Sequence, residues 1–163
     1  MLPASELSIA ALERLVETTL GTRPPLVLEE ILGGASVRRF FRIRSVPGGS
    51  AVAMFAPVQS HEIIRASEGA RPWPFLEVRN LLESRGVRVP RLLGTACEDG
   101  LILMEDLGQT LAQHLVERPD HRESLYRTAV ADLARAQRAL DPLPADSIVR
   151  ERAFDEELLR LEV

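Results

Sequence analysis

GGASVRRFFRIR, residues Gly33–Arg44, is the stretch whose reading decides the fold. Two adjacent glycines lead into a short run holding four arginines and two neighbouring phenylalanines. Gly-Gly between apolar runs is a hairpin signal. The run before it, Leu26–Leu32 (LVLEEIL), reads as a strand, and so does Val37–Val46 after it. The turn PGGS separates that strand from a third, Ala51–Ala56 (AVAMFA), which Pro57 stops. Three strands joined by two glycine turns predict an antiparallel meander. Strand alternation puts Arg38, Arg42 and Arg44 on one side with Phe40. Arg39 falls on the other side with Phe41 and Ile43.

Working outward, the segment from Ser5 to about Thr19 reads as a helix capped by Ser5 and ended by Gly21. Ile9, Leu12, Leu15, Val16 and Leu20 form its apolar face. Val58–Pro74 is polar and broken by Gly69, Pro72 and Pro74, so it reads as a connector. Phe75–Gly86 is a helix with Gly86 as its stop. VRVPRLLGTA (Val87–Ala96) is a strand whose internal proline makes it short or places it at an edge. LILMEDLG (Leu101–Gly108) is an apolar strand closed by acids and a glycine. Helices follow, one of them amphipathic through Leu125, Ala129, Leu133, Ala136 and Leu140. A last helix begins at Ile148, with Phe154, Leu158 and Leu161 on one face; it reads as interrupted at Val163. The fold class is α+β: five strands with one inserted helix, then helices only, the element order of a protein-kinase-like small lobe.

Composition removes several alternatives. The chain has 163 residues and a net charge of -4, which disfavours nucleic acid and anionic membranes as partners. No apolar run is long enough to span a bilayer. The N-terminus lacks the basic region of a secretory signal. A lone cysteine, Cys97, excludes an internal disulfide framework and a cysteine-based zinc site, and fits a cytoplasmic setting. All 20 basic residues are arginine, so no Walker A lysine exists. No G-x-G occurs, which removes the Rossmann fingerprint. HEIIR at His61 has Arg65 where a zinc motif needs histidine, and no G-x-S-x-G elbow is present.

Four stretches together carry a family likeness: GGASVRRFFRIR, SAVAMFAP, FLEVRNLLESRGVRVPRLLG and LILMEDLGQTLAQHL. They resemble the phosphotransferases related to aminoglycoside phosphotransferases and Ser/Thr kinases, and among these the N-acetylmuramate/N-acetylglucosamine kinases of cell-wall recycling. The resemblance implies a nucleotide-binding lobe over residues 1–105 and the beginning of a helical substrate lobe over 106–163. It implies ATP and Mg²⁺ as cofactors and a sugar hydroxyl as acceptor. Gly33, Gly34, Ala35 and Ser36 would cover the phosphates, since small residues let backbone N–H groups approach an anion. A plain hairpin turn is the other reading of those glycines. Main-chain groups near Met104, Glu105 and Leu107 would meet the adenine edge, with Leu103 lining the pocket.

Departures from the family pattern set further expectations. Met54 stands where a typical kinase has the phosphate-holding lysine, and reads either as a pocket wall or as a core side chain. Arg38, Arg39 or Arg42 is a candidate for the missing cation, because guanidinium grips phosphate bidentately. A solvated strand edge and a single-strand nucleic-acid surface are the competing readings of these arginines. Without a lysine partner, Glu77 reads as a solvated residue. Neither the aspartate that orients an acceptor hydroxyl nor the asparagine five residues later can be found. The lone asparagine, Asn80, follows Phe75 at that spacing, and no His-x-Asp occurs. No catalytic side chain and no metal ligand is therefore assigned within the 163 residues, and both are expected beyond Val163. The chain reads as the N-terminal part of a kinase; a short non-catalytic nucleotide-binding or interaction module is the alternative.

Overall fold

The computed structural model describes residues 9–32, 38–56 and 73–151. It divides into two compact units, Met1–Trp73 with Pro90–Gly108, and Pro74–Val89 with Gln109–Val163. Ser5, residues 33–37, residues 57–72, which hold most of the expected connector, and the residues after Glu151 lie outside the described residues.

The first unit is built on a five-stranded sheet: β1 (Val27–Ile31), β2 (Arg39–Val46), β3 (Gly49–Phe55), β4 (Leu92–Ala96) and β5 (Leu101–Glu105). Its order is β1-β2-β3-β5-β4, and every neighbouring pair is antiparallel. The predicted meander is β1 to β3. The proline-containing segment gives a strand of five residues at the sheet edge, which begins at Leu92, two residues after Pro90.

Helix α1 (Ile9–Leu20) packs on one face of this sheet. Ala11, Leu12 and Val16 join Phe41, Ile43, Ala51, Ala53, Phe55, Leu101 and Leu103 in a single buried cluster, flanked by Leu15 and Leu20. Each fully buried Leu or Ile there stabilises the fold by about 2 kcal/mol relative to exposure. Ile9, expected on the same face, is exposed at the helix start. Gly94 lets α1 approach β4 closely: a Cβ there would lie 2.8 Å from Thr19 Oγ1 and 3.2 Å from Leu15 Cδ1.

The second unit is helical: α2 (Pro74–Ser84), α3 (Leu111–Glu117), α4 (Arg122–Leu140) and α5 (Ile148–Glu151). Gly86 stops α2 as expected, at φ +73°, with Gly86 N–H donating to Glu83 and Val87 N–H to Leu82, a Schellman ending. Thr110 starts α3 through a capping box with Gln113. Helix α4 buries no residue: of its expected apolar face Leu125, Ala136 and Leu140 are half-buried and Ala129 and Leu133 exposed, and Tyr126 and Val130 beside that face are exposed too. Arg85 ties the α2 end to the α4 end, donating to the carbonyls of Ala139 and Pro142 at 3.1 Å each. Among the described residues no helix is long and apolar enough to cross a membrane. The five-stranded antiparallel sheet, with a helix inserted between its third and fourth strands in sequence, is the α+β arrangement of a kinase-like small lobe.

Candidate functional site

Strand β5 lies between β3 and β4, so its side chains fall into two rows on opposite faces. Leu101 and Leu103 stand in the α1 cluster. Ile102 and Met104 stand on the other face, in register with Met54 and Val52. Met54 and Ile102 are fully buried, and Val52 and Met104 nearly so. Phe40, opposite Met54 on β2, is half-buried. Met54, expected in the place of a kinase lysine, is thus a packed methionine on an apolar face. Leu103 is directed to the α1 side, because adjacent strand residues alternate, and Ile102 is the residue that shares Met54's face.

That face ends in a polar cluster. Arg42 pairs in register with Val52, and Ser50 with Arg44. Arg42 Nε donates to Asp106 Oδ2 at 2.6 Å and Nη2 donates to Oδ1 at 3.2 Å, a two-pronged contact. Ser50 Oγ donates to Oδ2 at 2.6 Å, and the Gly108 N–H donates to Oδ1 at 2.9 Å. Arg42 Nη2 also donates to the Gly108 carbonyl at 3.1 Å, and Glu29 lies 4.0 Å from Nη1. The Asp106 side chain is only 6% exposed. Burial pushes its carboxyl up, but the bonds from Arg42, Ser50 and Gly108 outweigh that and hold it at about 2.

The remaining predicted residues are distributed as follows. Arg39 is on the Phe41 side, donating to Glu30 at 2.8 Å with its guanidinium 5.0 Å from the Phe41 ring centre. It therefore points away from Met54's face. Arg38, just before β2, is half-buried. Gly33, Gly34, Ala35 and Ser36 lie outside the described residues. Met104 and Glu105 are held in the sheet, and the Glu105 N–H donates to the Arg91 carbonyl at 2.9 Å. The Glu105 carboxylate accepts the Arg91 N–H at 3.0 Å. Leu107 is 58% exposed, and none of the described residues hydrogen-bonds its main chain. Among the described residues no three His, Cys, Asp or Glu side chains gather to hold a metal ion.

Two residues escape sequence reasoning. Asp106 and Ser50 complete the cluster, and the only local signal is the acid pair Glu105–Asp106 directly after an apolar strand. Glu77 needs a correction. Rather than a solvated residue, it is part-buried in the second unit and accepts the Ile148 N–H at 2.7 Å, capping the start of α5.

The sequence over residues 27–162 matches the phosphotransferase enzyme family. It is 33% identical over 147 residues to an N-acetylmuramate/N-acetylglucosamine kinase of Pseudomonas aeruginosa, an alignment covering 88% of this chain and 37% of that protein. The chain thus spans little more than a third of the length of the curated relative it matches. No solved structure matches it significantly.

Proposed function

The chain belongs to the phosphotransferase enzyme family, and from that premise we propose that its sheet holds ATP, with Mg²⁺, for transfer of the terminal phosphate to a hydroxyl of an amino sugar. One observation carries the nucleotide reading. The buried apolar row of Val52, Met54, Ile102 and Met104 ends beside Leu107, whose main chain is unpaired among the described residues. An adenine base has a polar edge, and main-chain groups that no described residue occupies suit that edge, with the packed row beneath them as a firm support. Gly33–Ser36 form the phosphate-covering loop in this reading. Arg42 is committed to Asp106 and is not the phosphate cation. The sugar acceptor follows from the name of the Pseudomonas relative. A cytoplasmic setting and a role in cell-wall recycling belong to the same proposal.

A thermal-shift titration of the 163-residue chain tests the nucleotide part. A ligand that binds only the folded state stabilises it by about 2.7 kcal/mol at a hundred times its Kd. ATP with Mg²⁺ raises the Tm saturably if the reading holds. A Tm unmoved by millimolar ATP, with or without Mg²⁺, rejects it and leaves a module that binds no nucleotide.

A further inference from the structure

Asp106 sits one residue past β5, at the start of the three-residue segment that ends at Gly108. Its carboxylate takes three kinds of donor: the Arg42 fork from β2, the Ser50 hydroxyl from β3, and the N–H of Gly108. Arg42 Nη2 then reaches the carbonyl of the same Gly108. Gly108 is therefore held at both its N–H and its C=O, in a left-handed conformation with φ +81°. At the other end, Glu105 is fixed by its ladder to β3 and by its N–H bond to Arg91. Between these two anchors Leu107 is exposed and its main chain is unpaired among the described residues, yet its direction is fixed from both sides.

We propose that Asp106, together with Arg42 and Ser50, forms a positioning group that aims the Leu107 main chain at the base edge of a bound nucleotide. The inference rests on the nucleotide reading above and assigns the cluster a purpose within it. A pair of side chains that merely joined strands would not need to grip both polar groups of Gly108, Asp106 at the N–H and Arg42 at the carbonyl. An arginine reserved for phosphate would not lie with its fork closed on a carboxylate. The prior order of the segment spares a ligand the cost of fixing it on binding.

The test compares two probes on the same proteins: ATP, which has a base, and inorganic tripolyphosphate, which has none. Dissociation constants are measured by calorimetry for the wild-type chain and for Asp106→Asn, Arg42→Lys and Ser50→Ala. Misaiming one main-chain hydrogen bond corresponds to about tenfold in affinity. Asp106→Asn and Arg42→Lys are expected to weaken ATP about tenfold and leave tripolyphosphate unchanged. Ser50→Ala keeps the fork and the fold, and is expected to weaken ATP by a smaller factor. Amide exchange at Gly108 is expected to speed up in all three variants. ATP affinities equal to wild type, or an equal loss for both probes, overturn the positioning role while the nucleotide reading stands. A wild-type chain that takes up tripolyphosphate without preferring ATP removes the base site and the proposal with it. A wild-type chain that binds neither overturns the nucleotide reading first.

Discussion

Arg42 and Asp106 are 64 residues apart in sequence, and their side chains meet in a part-buried two-pronged ion pair with Nε 2.6 Å from Oδ2. The contact joins the second strand of the sheet to the segment leaving the last one. Its pH dependence follows from the carboxyl, which titrates at about 2 when folded against an ordinary value of 3.8. A folded value below the unfolded one means stability that is present above the unfolded value and lost as pH falls through the folded one. The gap corresponds to about 2 kcal/mol, complete above about pH 5 and lost between about pH 4 and pH 2. Asp106→Asn is expected to be less stable than wild type by about that amount near neutral pH, and close to it near pH 2. Denaturant unfolding at both pH values measures the difference. A difference that does not shrink in acid rules out the ionised carboxylate as its source.

Met54 carries a second prediction, because it is fully buried in the row with Ile102 and beside Phe40 in register. Met54→Ala is expected to cost about 2–4 kcal/mol, through lost contacts and a cavity. Met54→Leu keeps the volume and is expected to cost less than about 1.5 kcal/mol. Equal and small losses for both would show that the side chain at the kinase lysine position is not packed.

Gly94 makes a third. A Cβ at this position meets Thr19 Oγ1 at 2.8 Å and Leu15 Cδ1 at 3.2 Å, so α1 has to give way. Gly94→Ala is expected to destabilise by about 1–3 kcal/mol, the usual range for overpacking. Adding Thr19→Ala removes the nearer obstacle and is expected to recover part of that loss, read as a coupling in a double-mutant cycle. Additive losses would place the cost elsewhere.

Glu77 makes the fourth, in the helical unit. Its carboxylate accepts the Ile148 N–H at 2.7 Å. Glu77→Ala leaves that donor without its partner and is expected to cost about 1–2 kcal/mol. Glu77→Gln retains an acceptor oxygen and is expected to lose less. A glutamine variant no better than alanine would contradict the cap.

The sheet was legible because its signals are local. Glycine turns, alternating apolar residues and the proline just before the edge strand each act within a few positions. The α1 face was legible for the same reason, apart from Ile9 at the helix start. Asp106 and Glu77 were not legible, because their partners lie 64 and 71 residues away and no local pattern announces them. The face on which Leu103 stands was not legible, because one residue of register reverses a strand's faces; the pairing of Met54 with Ile102 supplies that register and places Leu103 in the α1 cluster. The apolar spacing of α4 was real, but spacing says only which side a helix would bury, and Leu133 is exposed.

The central claim is that the segment after β5 meets a nucleotide base. The most direct measurement is an amide chemical-shift titration of the 163-residue chain with ATP. Saturable shifts are predicted at Glu105, Leu107 and Gly108, and at Gly33–Ser36, with the amides of α4 unmoved. ATP that leaves Glu105–Gly108 unperturbed at saturating concentration, or that perturbs α4 instead, contradicts the account.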